Sequence, residues 1–322
     1  MIAERQHIKT QRRIPTSLQV AGWEARRYWA NPSSWRLAII ALGLFMFISW
    51  LLRHPGNIML IAGTVQINYQ FSGTSAYGMV LLLFLFSFLL ALLLPLVSSS
   101  GVAHDVKHRT HELLMTTTVP TWAYITGRYL FCLLASVCLT LLMLVAVLFM
   151  GLLYHLIEHT YLVPQVGAAF GLWAVAILPM TIVISSLSFA LGTLIPRHAN
   201  LAALAVIVVW YLPMFVLVFV PASGLQLPLW AKTWEPTNIG MEAALQEPYR
   251  NGLANILQTL SNNPNVTVKD GQHAVSALQA VEQKMPDLLP WLAPHLVWIG
   301  IGLALVLLVA FTFKRFRRVL NG

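Results

Sequence analysis

The chain has 322 residues, of which 58% are hydrophobic and 10% charged; its net charge is +9 and its mean hydropathy +0.72. A soluble domain carries about a quarter of its residues as charges, so this composition excludes one and makes lipid the expected solvent. The basic excess follows from topology and calls for no nucleic acid.

The first 36 residues are polar and basic and lack the apolar stretch of a signal peptide. Within them, Leu18 to Ala30 reads as a helix that sets Trp23, Tyr28 and Trp29 beside Arg26 and Arg27, a mixture that favours the headgroup layer. Asn31-Pro32 ends it, because the residue before proline is pushed out of the helical region. The reading is an in-plane helix joined by an elbow to a first span. Six apolar runs then follow: Leu37 to Leu52, Met79 to Val97, Tyr129 to Leu153, Val166 to Ile195, Leu201 to Val220 and Leu296 to Phe313. Crossing the roughly 30 Å hydrocarbon core takes about 20 residues of helix. Backbone groups must be satisfied within lipid and the period-2 pattern of a membrane barrel is absent, so all six read as helices. Pro95, Pro179 and Pro213 predict kinks in three of them.

Between the first two spans, Arg53 to Ala76 reads as a mixed polar and apolar loop. From Pro221 to Pro290 the connection is long. Leu253, Ile256, Leu257 and Leu260 recur at helical spacing there, and His273 to Met285 repeats it with Val275, Leu278, Val281 or Glu282, and Met285. Asn262 to Asn265 and Lys269-Asp270-Gly271 read as turns between these helices. Leu229-Trp230 and Ile239 to Leu245 read as short segments dipping back toward the bilayer. Asn265-Val266-Thr267 matches a glycosylation sequon, a weak three-residue signal.

Orientation follows from Lys and Arg, which accumulate in cytoplasmic loops. Fifteen of the 20 fall on one side of the six spans, and five, Arg53, Lys232, Arg250, Lys269 and Lys284, on the other. The expected fold is therefore an all-α polytopic membrane protein in a plasma (bacterial inner) membrane with both termini cytoplasmic. Its parts are a tail and interfacial helix (1–36), spans one to five (37–220) with a cytoplasmic segment at 101–120, an external helical insertion (221–290), and a sixth span with a basic tail (291–322). Cys132 and Cys138 share the third span, do not face each other, and read as packing residues.

The spans as assigned hold no ionisable residue near the midplane, where an ion-coupled transporter needs one. Ser185, Ser186 and Ser188 read as helix-contact residues. The chain also lacks a Gly-x-x-x-x-Gly-Lys-Ser/Thr phosphate loop. Active transport would then draw on a nucleotide bound by another subunit. Two histidine groupings raise the question of a metal. His104, His108 and His111 recur on one helix face and have the chemistry to bind a divalent ion, but a surface cluster is the preferred reading. His155-Leu156-Ile157-Glu158-His159 matches the His-x-x-Glu-His pattern of zinc peptidases, with Glu235 or Glu242 as a conceivable third ligand. It sits at the outer end of a span, with no soluble domain around it. A membrane anchor or assembly protein is a third reading.

The segment from Val102 to Pro120, followed by Ile125-Thr126-Gly127-Arg128-Tyr129, resembles the permease subunits of ATP-binding-cassette exporters of the type-2 class. Members of that family carry a Gly-Thr-x-Glu-Leu-Leu-x-x-x-Pro stretch and then Gly-Lys or Gly-Arg at the third span. Thr110, Glu112, Leu113, Leu114, Pro120, Gly127 and Arg128 match, with Arg109 in the glycine's place and the proline slightly displaced. Ser185 to Ala203, with Arg197 in a short inner turn, also looks like the family's hairpin between spans four and five. The resemblance implies that Asp105, Lys107, Arg109, Thr110, Glu112, Leu113, Leu114, Met115 and Thr116 form a short helix that couples to an ATPase. The apolar Leu113-Leu114-Met115 fits that role, since an exposed apolar stripe implies a partner surface. It further implies a dimer of permeases, identical or paired with a paralogue, two ATPase subunits, and ATP and Mg bound on those partners with no cofactor in this chain. Ser98, Tyr211 and Phe215 on spans two and five are the candidate substrate-path residues.

Overall fold

The structure, a computed structural model, describes residues 15–62, 65–99, 120–222, 233–262 and 267–319. Helix α1 (Thr16–Ala30) stops at Asn31, whose extended backbone turns the chain and whose side-chain oxygen accepts from the Ser33 amide at 3.0 Å. Pro32 opens α2 (Pro32–Leu51) at a position where a missing N–H costs nothing. The elbow expected at Asn31-Pro32 is thus present. Strands β1 (Asn57–Ala62) and β2 (Val65–Gln70) follow, then α3 (Ala76–Ser98), α4 (Thr121–Ile157) and α5 (Val166–Leu172). A π turn over Trp173–Ile177 leads into α6 (Leu178–Leu194), and a 3-10 turn over Pro196–His198 leads into α7 (Ala199–Ala222). The rest is α8 (Ile239–Ser261), α9 (Val268–Glu282) and α10 (Leu292–Val319).

Among the described residues, five stretches are long and apolar enough to cross a bilayer: Pro32–Leu51, Thr121–Ile157, Val166–Leu194, Pro196–Leu217 and Leu289–Phe313. Helix α3 makes a sixth when its halves, Ala76–Leu83 and Leu85–Ser98, bent by 48°, count as one span. That bend is not at Pro95, which lies in the last turn of α3 and has almost no helix beyond it to deflect. Pro179 is different. The Leu178 amide bonds back five residues to the Trp173 carbonyl, so a π turn immediately precedes the proline and absorbs the mismatch its ring creates.

Helix α6 is the centre of the bundle, with twelve of its 17 residues buried, enclosed by α3, α4, α7 and α10. Small residues permit the close approaches: Ser186 stands against Gly302 of α10, where an added Cβ would lie 3.2 Å away. By contrast Ile39, Ile40, Val208, Val209, Leu212, Leu307 and Leu308 on the outer faces of α2, α7 and α10 are exposed, as lipid-facing residues are. One end of the bundle, the basic end, carries α1, the start of α4 and the Arg197 turn. The opposite, cap end carries the hairpin, α8 and α9.

The cap differs from the sequence reading in three places. Residues 57–70 form an antiparallel hairpin, with Asn57 opposite Gln70 and Ala62 opposite Val65, where a loop was expected. In β2 the apolar Val65, Ile67 and Tyr69 alternate with polar residues and pair with Ala62, Leu60 and Ile58 of the apolar β1, and six residues a side suffice for a ladder. Lys269-Asp270-Gly271 is not a turn. Asp270 accepts from the Thr267 amide at 2.8 Å while Thr267 Oγ1 accepts from the Asp270 amide at 3.3 Å, a capping box that starts α9 at Val268. Finally, Ile239 to Leu260 forms one helix in place of two segments, because Leu245, Tyr249, Leu253 and Leu260 continue a single buried stripe past Pro248.

Candidate coupling and translocation surfaces

The residues expected to couple to an ATPase, Asp105, Lys107, Arg109, Thr110, Glu112, Leu113, Leu114, Met115 and Thr116, lie outside the described residues, as do His104, His108 and His111. Pro120 precedes the first residue of α4. Two turns on, Gly127 and Arg128 receive α1. A Cβ on Gly127 would stand 2.5 Å from the Ser17 carbonyl oxygen and 2.7 Å from Val20 Cβ, so only glycine lets the two helices touch. Arg128 is 5% exposed, pairs with Glu24 of α1 and lies 5.5 Å from the centre of the Tyr124 ring. Tyr28 meets Phe131 edge-on at 5.4 Å. The Gly-Arg pair picked out by resemblance thus docks the N-terminal helix.

The three expected path residues are not equivalent. Ser98 is fully buried at the end of α3, its hydroxyl 3.1 Å from that of Ser136 on α4. It joins α3 to α4. Tyr211 of α7 donates to the Phe88 carbonyl of α3 at 2.6 Å, and their rings meet edge-on at 4.5 Å. Phe215 and Phe219 continue the row at 6.3 and 6.1 Å. The last two are 53% and 64% exposed, so α3 and α7 together present an aromatic seam on the outside of the monomer.

At the cap end the peptidase pattern does not assemble. Helix α4 stops at Ile157, so Glu158 and His159 leave the helix face that two histidine ligands and a base would share. His155 donates from Nδ1 to the Tyr161 carbonyl at 2.7 Å, and Glu158 sits between Arg53 at 3.3 Å and His54 at 3.0 Å. Glu235 is turned onto its own loop, accepting from the Thr237 and Gly240 amides at 2.7 and 2.8 Å, while Glu242 accepts from Gln246 at 2.7 Å. Among the described residues no three His, Cys, Asp or Glu side chains group to hold a metal.

Two polar positions escaped the sequence reading. Glu282 at the end of α9 is fully buried; it accepts from the Tyr69 hydroxyl and, at 2.6 Å, from the Ser72 amide. Burial pushes its carboxyl above the usual range, against the pull of those donors. Ser75 caps α3 three residues on, accepting from the Gly78 amide at 3.0 Å, so Glu282 ties α9 and the hairpin to the start of that span. The sequence offered Val281 and Glu282 as alternatives for one helix position, and a buried acid has no periodic signature. The second is Asn238, the one described non-glycine residue with positive φ (68°). Its amide donates to the Ala176 carbonyl at 3.2 Å and to Ser87 Oγ at 3.3 Å, so the start of α8 is pinned between α3 and the π turn. Beside it His295, 3% exposed on α10, faces the backbone of Val175. Val175 lies four residues before Pro179, which has no N–H to offer its carbonyl. Arg128 and His295 are thus ionisable groups within the helices, both near helix ends and outside the spans as the sequence placed them.

A family model described as ABC-2 family transporter protein matches residues 56–312. The chain belongs to that family. It is the permease of an ABC transporter system, a multi-pass membrane protein whose family works with ABC ATPase subunits. The match covers the hairpin, the cap helices and every span after the first, so the cap lies within the region the family shares. A search of individually curated proteins returns no match.

Proposed function

We propose that the permease forms the export path of an ABC transporter as a dimer of six-span units, identical or paired with a paralogue, driven by two separately encoded ATPases that bind ATP and Mg. The carrying observation is the family match over residues 56–312. The basic end then faces the cytoplasm with both termini, in agreement with the Lys and Arg count, and the membrane is the plasma (bacterial inner) membrane.

In this reading the ATPases dock on the segment from Asp105 to Thr116. Glu112 and Arg109 meet charged partners, and Leu113, Leu114 and Met115 supply the apolar contact. Closure of the ATPases pushes that segment and changes the inclination of the helices it joins, α3 and α4. The seam of Phe88, Tyr211 and Phe215 on α3 and α7 faces the second permease across the path, and its apolar rings suit an amphipathic or lipid-like cargo. Ser98 acts here as a helix joint near the driven end of α3. The test is purification of the full chain from its native membrane. An ATPase should come with it, and Glu112→Arg or the double change Leu113→Ala, Leu114→Ala should leave ATP hydrolysis running without transport. Absence of an ATPase, together with silence of those changes, refutes the reading.

A further inference from the structure

The elbow encloses a space that the export reading does not use. A cavity of about 270 Å³ lies between α1, α2 and α4, floored by Val97 of α3. On one side Ala25, Tyr28 and Trp29 belong to α1; Ser34, Trp35 and Ala38 belong to α2; the α4 wall runs from Phe131 through Ala135 and Cys138 to Leu142. Almost the whole lining is hydrocarbon, and a cavity of roughly 150 Å³ with such walls stays dry and holds a benzene-sized guest. From Phe131 to Leu142 the α4 wall extends for about 16 Å at 1.5 Å per residue, about half the roughly 30 Å hydrocarbon core. The cavity therefore has the length of one leaflet's chain region.

What marks its entrance is equally specific. Trp29 and Trp35 meet edge-on at 4.8 Å, and the Trp35 indole donates to the Trp29 carbonyl at 3.0 Å. Tryptophan pairs of this kind sit at headgroup depth. Both are about half exposed, so this end of the cavity opens outward between the helices. Arg36, the residue after Trp35, is exposed and donates to Ser33 Oγ at 3.1 Å, which holds a guanidinium at the elbow. Arg26 is exposed on α1, about one turn before the end of that helix. A cationic rim above an apolar slot matches an anionic headgroup above its acyl chain.

We infer that the elbow cavity is a binding site for one acyl chain of an anionic phospholipid from the leaflet at the basic end, with the headgroup phosphate on Arg36. The bound chain completes the packing between α1, α2 and α4, which otherwise meet around a void. It is a resident lipid, separate from any cargo on the seam of α3 and α7.

The test uses the full-length protein in vesicles of phosphatidylethanolamine and phosphatidylglycerol containing phosphatidylglycerol with a diazirine on its acyl chain. After illumination, carbene adducts are mapped by peptide mass spectrometry. Adducts should concentrate on Ser34 to Ala38 and Phe131 to Leu142. Ala135→Phe fills the slot and should lower adduct yield there about tenfold, since excluding two methylenes at about 0.8 kcal/mol each already reaches that factor. Ala38→Leu is a gentler filling that should act in the same direction if Ala135→Phe does not fold. Ala304→Phe, on an exposed position of α10, should leave the yield unchanged. Arg36→Gln should lower the yield with the phosphatidylglycerol probe and leave that with a phosphatidylcholine probe unchanged. Adducts spread evenly over all spans, or an elbow yield unmoved by both filling changes, overturn the site; equal labelling by the two headgroups in the unaltered protein overturns the anionic assignment.

Discussion

The contact between α1 and α4 makes a quantitative prediction. Glu24→Gln leaves the Arg128 guanidinium beneath α1 without its carboxylate. The two side chains are 17% and 6% exposed, so this pair belongs with buried ion pairs, where removal of one partner costs about 3–5 kcal/mol. The cost falls on the docking of α1, because Glu24 is contributed by that helix and Arg128 by the wall it lies on. Trypsin reports it directly. Arg26 and Arg27 lie within α1, and a helix must open before a protease can cut it, so the cleavage rate follows the undocked population. At 1.4 kcal/mol per tenfold, Glu24→Gln should raise the cleavage rate at these sites about 100- to 4,000-fold. Replacing both partners by apolar residues, Glu24→Leu with Arg128→Met, should restore most of the protection, since no charge is then stranded. An increase below about fivefold would place the pair with exposed salt bridges worth up to about 1 kcal/mol, and the account of α1 as a docked element would fail.

Four further outcomes follow from the geometry. Gly127→Val drives its side chain into Ser17 and Val20 and should undock α1 as Glu24→Gln does, by the same protease readout, without altering any charge. Glu282 has a folded pKa above its ordinary value of 4.5, so its protonation favours the folded cap. Stability contributed by that proton is full below the unfolded value and is lost as pH rises through the folded one, each tenfold difference in proton affinity between the two states being worth about 1.4 kcal/mol. Thermal melting followed by tryptophan fluorescence should therefore show Glu282→Gln gaining on the unaltered protein as pH increases from 4.5; a constant difference would refute the assignment. Tyr211→Phe removes the bond to the Phe88 carbonyl and should lower the melting free energy by about 0.6–1.5 kcal/mol. His155→Ala should not alter zinc content, because His155 and Glu158 are occupied by Tyr161, Arg53 and His54.

Much of the bundle was legible because lipid imposes a simple rule: a run of about 20 apolar residues forms a helix long enough to cross. The elbow was legible for a similar reason, since Asn31-Pro32 can hardly be anything but a break. Helix ends were less so. Helix α4 begins at Thr121, well before the apolar run from Tyr129, because its first turns are stabilised by α1 and by the Arg128 pair, which hydropathy does not register. The cap was least legible. Its hairpin is two short strands, one apolar and one alternating, in a region whose mixed composition reads as a loop, and its chief polar joint, Glu282, acquires meaning only from Tyr69 and Ser72, more than 200 residues earlier in the chain. The His155 to His159 pattern shows the converse: correct residues at correct spacing, already doubtful at the end of a span, on a helix that stops at Ile157.

Helix α4 holds no proline in its 37 residues and is about 55 Å long at 1.5 Å per residue, far more than a bilayer requires. Near one end it grips α1 through Gly127 and Arg128; near the other, Gly151 presses on Thr74, Tyr154 on Tyr161 and Glu158 on Arg53. Such a rod cannot lean at one end alone. A tilt of about 5° about its midpoint carries each extremity roughly 2.4 Å, in opposite directions. A push delivered just before Thr121 would therefore reach the cap as a mirrored displacement, with no relay of side chains between, and the two faces of the membrane would share one lever.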